Sequence, residues 1–218
     1  MPGPSQTVSA LRALISARFP ERGRRSHGSV CADVGPVDDA LGGGLPAGRL
    51  TELVSAAPSS GGQTVLAGLL AATQAARQRV ALVDGADGFA PEAVPGDMLR
   101  HLVWVRCREP EQAFAAADIL VRDGNYAALV IDLRGCAERV LRRTPSSVWY
   151  RLQRAAEAGS AAVLVQTTFP LVPAVPWRLV LRGPLSLGDA GLPREGVAAR
   201  LAVRTERGQD RAPEEMTA

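Results

Sequence analysis

Lysine is absent from the 218 residues, so all 25 basic side chains are arginine. Arginine pairs carboxylates and phosphates through two parallel donors. With a net charge of +3 and an isoelectric point near 9.1, contact with nucleic acid is permitted but not demanded. Aromatic residues are scarce at 4%, against 46% hydrophobic residues overall, so the core has to rest on Ala, Val and Leu. Cysteine occurs three times, at Cys31, Cys107 and Cys136, with no C-x-x-C spacing, and histidine twice, at His27 and His101. That count argues against a disulfide framework, and spacing assembles no metal site. The cysteines are expected to be reduced packing residues in a cytoplasmic protein. No apolar run approaches the length of a membrane span, and the first residues lack the charged-then-apolar layout of a secretory signal.

What is present is a pattern of short apolar runs separated by helical periodicity. Near the start, Val8, Leu11, Leu14, Ile15 and Phe19 share one helical face. An arginine-rich polar stretch follows, so residues 1–29 read as a helix plus linker. A helix this short is marginal alone and needs a surface to pack on. Residues 30–208 read as one domain, and 209–218 as a polar, disordered tail. Within the domain, apolar runs at Leu50–Val54, Val80–Asp84, Leu102–Val105, Ala127–Leu133 and Ala161–Val165 predict strands. Helical patterns lie between them at Thr64–Arg77, Glu111–Arg122 (stopped by Gly124) and Val148–Ala156 (capped by Ser146 or Ser147, stopped by Gly159). Such alternation signals a mainly parallel, twisted sheet with helices on both faces. Two last runs, Arg178–Leu181 and Val197–Val203, show no helix between them and predict an antiparallel extension at one edge.

In open parallel sheets, ligands sit where strands end and helices begin. Between the Leu50 strand and the Thr64 helix lies Ala57-Pro58-Ser59-Ser60-Gly61-Gly62-Gln63-Thr64. A phosphate-binding loop reads G-x-x-x-x-G-K-[ST]: backbone amides wrap the phosphates, the Lys reaches the outer ones and the hydroxyl holds magnesium. Gly62 and Thr64 match that pattern, whereas Ala57 stands for the first Gly and Gln63 for the Lys. By itself a Ser/Gly loop before a helix is often only a turn.

The likeness extends beyond the loop. Asp38 to Glu52 reads DDALGGGLPAGRLTE, which resembles the "LD-AL-GGGLP-GR-VE" lead-in of the RecA recombinase family. Ala81–Asp84 resembles the next RecA strand. Leu129-Val130-Ile131-Asp132 resembles the strand ending in the magnesium-assisting Asp, and Val163–Thr167 the strand whose polar end senses nucleotide. The resemblance runs from about Val34 to Arg207 and implies a RecA-like P-loop NTPase core. It also exposes departures. The acid that orients the attacking water falls on Ala86, with Asp87 next to it. The two DNA-gripping segments shorten to Gly135–Ser147 and Phe169–Pro176, and the C-terminal domain of RecA is expected to be missing.

A short RecA-like chain with this lead-in and a worn phosphate loop resembles the ImuA group, also described as SulA-like. That resemblance implies a nucleoid-associated accessory of SOS mutagenesis, acting with RecA and an ImuB-type Y-family polymerase relative. The expected function is a non-hydrolysing adaptor with no cofactor and no metal. The alternative is an ATP- and magnesium-binding, single-stranded-DNA-binding protein with weak ATPase activity. Ser59, Ser60, Gly61, Gly62, Gln63, Thr64 and Asp132 are the candidates for residual nucleotide binding. No catalytic residue is expected. Arg139, Arg142, Arg143, Trp149, Arg151 and Arg154, with Tyr150 among them, are the candidates for DNA, since arginine beside aromatics suits single strands. A solvated helix face with a core Trp is the plainer reading of the same residues. Val8, Leu11, Leu14, Ile15 and Phe19 are the candidates for docking on RecA or on a second copy, with packing on their own domain as the plainer reading.

Overall fold

The computed structural model describes residues 28–57 and 59–207. The helix expected at Val8, Leu11, Leu14, Ile15 and Phe19, and the tail 209–218, lie outside the described residues. Chain order begins with β1 (Ser29–Val30), α1 (Gly35–Leu41), β2 (Leu45–Pro46) and β3 (Leu50–Ser55), followed by α2 (Gly62–Ala75). Next come β4 (Val80–Asp84), α3 (Gly96–Leu99), β5 (Leu102–Arg106), α4 (Pro110–Asp123) and β6 (Ala128–Asp132). The second half holds α5 (Glu138–Leu141), α6 (Ser146–Ala158), β7 (Ala162–Thr167), β8 (Trp177–Arg182), α7 (Arg194–Ala198) and β9 (Ala202–Arg207). Seven strands form one sheet in the order β5-β4-β6-β7-β3-β8-β9. All neighbours are parallel except β8 and β9, which are antiparallel. The fold is mixed α/β, a RecA-like core with an antiparallel edge.

Burial explains why the strands read as unbroken apolar runs. Every residue of β3, β4 and β7 is buried, because helices cover both faces. One face packs Leu66, Leu69 and Leu70 of α2 on Leu53, Leu82, Val130 and Leu164. The other packs Phe114 of α4 and Trp149 and Leu152 of α6 on Leu50, Val83, Ile131 and Val165. A buried Leu contributes about 1.5–3 kcal/mol, so a sheet filled on both sides needs few aromatics. The glycine-rich lead-in has a backbone cause: Gly42, Gly43 and Gly44 all take positive φ, turning the chain from α1 into β2.

Three local expectations are corrected. The run Val197–Val203 is not one strand: α7 and its following turn occupy its first part, and the strand starts at Ala202. Helix α6 is not capped by a serine side chain, since Pro145 holds the N-cap position and makes no side-chain cap bond. Proline at a helix start sacrifices no needed amide. Cys31 is exposed and not a packing residue; its Sγ donates to Asp38 Oδ2 at 3.4 Å. Cys107 is buried and Cys136 half-buried, and burial pushes the Cys136 thiol up to about 11. Among the described residues, no helix is long and apolar enough to cross a membrane.

Candidate functional site

The carboxyl ends of β3, β4 and β6 converge on a pocket of about 1160 Å³. Its floor is the turn from Ser55 to α2, and its far wall is the β8–β9 connection at Pro184, Leu185 and Leu187. The turn is held in shape from within and above. Ser60 Oγ donates to the Ala57 carbonyl at 2.8 Å, and the Leu185 amide donates to the Ser59 carbonyl at 2.9 Å. Gly61 sits at φ 99°, and a Cβ there would lie 2.2 Å from Leu201 Cδ2. Only glycine fits both the dihedral and the space. Gln63 is exposed and Thr64 partly so at the start of α2.

Directly over that helix start lies a residue that sequence reasoning missed. Arg134 follows β6, and its Nε and Nη2 donate to the two carboxylate oxygens of Asp132 at 2.9 and 2.5 Å. The same Nη2 donates to Gln63 Oε1 at 2.8 Å. Nη1 presses on Gly62, where a Cβ would meet it at 2.5 Å and Ser55 Oγ at 2.8 Å. Ser55 Oγ is itself buried with no hydrogen-bond partner among the described residues. The first turn of a helix is electropositive and its free amides suit an anion. Here a cation stands beside it, balanced by Asp132. Magnesium and polyphosphate, which the fold implies, do not fit this arrangement. The carboxylate that would assist magnesium is bidentate to a guanidinium, and the space over Gly62 is filled. The signal was legible in principle: an arginine two residues past Asp132, in a chain whose loop lacks its own cation.

The place of the water-orienting acid is equally altered. Ala86 lines the pocket and offers only a methyl group. The carboxylate of neighbouring Asp87 is held by Arg106 Nε and Nη2 at 2.6 and 2.7 Å. That hydrogen-bonded pair holds the Asp87 carboxyl below its usual range. Asp84 is committed to the loop: it accepts the amides of Gly88 and Phe89 at 2.9 and 2.8 Å and the Trp104 indole at 3.3 Å.

A second ion pair closes the segment Phe169–Pro176. Glu52 is fully buried in β3 and accepts Arg178 Nε at 2.6 Å across the parallel register with β8. It also accepts the amides of Leu171 and Val172 at 2.7 and 3.0 Å, while Arg178 Nη2 donates to the Val172 carbonyl at 2.7 Å. Val172 and Val175 are buried in the core. The segment is therefore packed on its own sheet.

The candidates for DNA contact differ in what holds them. Trp149 is only 2% exposed and packs edge-on against Phe114, centroids 5.2 Å apart, so it is a core ring and not a stacking platform. Tyr150 is the exposed aromatic of this segment. Arg142 is tied to Glu138 and lies 4.5 Å over the Phe169 ring, and Arg151 pairs with Asp118 at 3.2 Å. Arg139, Arg143 and Arg154 are exposed, with no carboxylate partner among the described residues.

No family model matches the chain. It is similar to Protein RecA of Rubrobacter xylanophilus, 36% identical over 120 residues. The match covers 53% of this chain and 34% of that protein, so the chain spans about a third of its relative's length. The core is RecA-like. Sequence likeness and sheet architecture together support a place in the RecA superfamily and nothing finer.

Proposed function

We propose that this chain is a non-hydrolysing RecA-like adaptor in the bacterial DNA-damage response and translesion mutagenesis. It binds RecA or an ImuB-type Y-family polymerase relative, and contacts single-stranded DNA through exposed arginines. The observation that carries the reading is the triple Gln63–Arg134–Asp132 at the start of α2, with Ala86 where an acid would orient water. Removing one group that stabilises the transition state typically costs about a hundred- to thousand-fold in rate. Loss of both the lysine and the acid leaves binding, not turnover, as the work of this surface.

Partner contact is assigned by sequence to Val8, Leu11, Leu14, Ile15 and Phe19, and the resemblance to the ImuA group supplies the partners' identity. The test has two arms. Purified protein, with and without single-stranded DNA, is expected to release no phosphate from ATP above background; turnover abolished by Thr64→Ala sinks the reading. In the second arm, Leu11→Asp with Leu14→Asp is expected to abolish capture of RecA or the polymerase relative while leaving the melting temperature unchanged. Unchanged capture with a large fall in melting temperature means the segment packs on its own domain.

A further inference from the structure

We infer that Arg134 is a built-in plug: its guanidinium stands where magnesium and the outer phosphates of a nucleotide would lie, and keeps both out. The inference rests on reading Ala57–Thr64 as a phosphate loop that does not turn over ATP. It goes beyond that reading by naming the group that closes the loop.

Three observations meet on this side chain. First, the space is taken. Nη1 lies against Gly62, the residue whose missing Cβ lets a phosphate approach in an open loop of this kind. Second, the charges are already matched. Asp132 accepts two guanidinium donors and the Arg134 backbone amide, so most of its acceptor capacity is taken and the pair carries no net charge. Third, Gln63 accepts a donor from the plug. A lysine at position 63 would set two cations side by side, so the loss of that lysine and the presence of Arg134 belong to one arrangement. The remaining pocket is not collapsed. Ser55 Oγ stays unpartnered beneath Gly62, and the wall at Leu187, 95% exposed, remains open. Closure is therefore local to one side chain.

The deciding variant is Arg134→Ala combined with Gln63→Lys. It carries the same formal charge as the natural chain and moves the cation from the plug to the loop, so any gain in binding reports position and not total charge. The measurement is fluorescence anisotropy of a fluorescent ATP analogue with magnesium, on the full chain, with Arg79→Ala as a control for loss of an exposed arginine. The double variant is expected to bind at least about tenfold more tightly than the natural chain, the scale of one charge-assisted hydrogen bond. Arg79→Ala is expected to change nothing. Should the double variant fail to fold by circular dichroism, Arg134→Gln, which keeps a donor to Asp132 but lacks the charge and the reach to Gly62, takes its place with the same expected direction. A natural chain that binds the analogue as tightly as the variant overturns the plug, and so does a folded variant that gains nothing. Phosphate release by the natural chain overturns the adaptor reading as well, which keeps the two failures apart.

Discussion

Two arginine–carboxylate pairs stand on this sheet, and they are built differently. Arg178 and Glu52 span two adjacent strands, with side-chain exposures of 23% and 0%. Arg134 and Asp132 are two residues apart at the end of one strand, with exposures of 22% and 13%. The first carboxylate also accepts two backbone amides and so fastens a whole segment to the core. The second faces a pocket, and the extra contact of its arginine is to an exposed glutamine. A carboxylate with no access to water is stranded when its partner is cut, whereas one at a pocket mouth is rescued by solvent. The inner pair belongs to the fold, and the outer one is free to serve the site.

The largest effect should come from cutting the inner pair on one side. Arg178→Ala leaves Glu52 charged among apolar strands and is expected to cost about 3–5 kcal/mol, read by urea unfolding. It should also open Phe169–Pro176 to proteolysis, because Val172 loses its partner for the carbonyl. Removing both charges, as Glu52→Leu with Arg178→Met, should recover part of that loss. The residual cost is about 1–3 kcal/mol, since the Leu171 and Val172 amides are left without their acceptor. If the double variant is no better than the single one, the pair is not the unit that holds the segment.

At the outer pair the same operation should do little to the fold. Arg134→Ala is expected to shift stability by about 1 kcal/mol or less. The electropositive start of α2 gains from losing a neighbouring cation, and this offsets part of the lost pairing. A loss as large as that of Arg178→Ala would erase the contrast and make Arg134 a structural residue.

The sheet was legible because its strands carry their own signal. Val80–Asp84 is an apolar run with turn residues beyond it, and the structure places β4 on those same residues. The lead-in was legible through its resemblance to the RecA family, and its three consecutive glycines take a backbone that other residues avoid. The Val197–Val203 run misled because Val197 and Ala198 are apolar for a different reason: they close a short helix lying over the phosphate loop. Trp149 could not be told from a stacking platform, because a tryptophan beside arginines looks alike whether the ring faces Phe114 or solvent. The plug at Arg134 left only a hint in the sequence, an arginine two residues past Asp132 in a chain whose loop lacks its own cation. Its contact with Gln63 joins residues 71 apart, and no local pattern encodes such a meeting.

The smallest effect on the fold, and the one most telling for function, concerns the arginines tied to neither pair. Arg139 and Arg143 are exposed around α5, with no carboxylate partner among the described residues. Changing both to Ala should leave the melting temperature unchanged, because nothing in the core depends on them. Binding to single-stranded DNA should weaken, and the slope of log affinity against log salt should fall by about 0.7 for each phosphate that is no longer neutralised. Arg154 supplies the internal comparison: it stands about 12 Å beyond Ser146 along α6, at 1.5 Å rise per residue. If DNA tracks the carboxyl end of the sheet, Arg154→Ala should change neither affinity nor slope. Equal losses from Arg154→Ala and from Arg139→Ala with Arg143→Ala would instead show a diffuse attraction of a basic chain for a polyanion. Full affinity in the double variant would remove these arginines from the interface altogether and leave DNA to reach the protein through its partners.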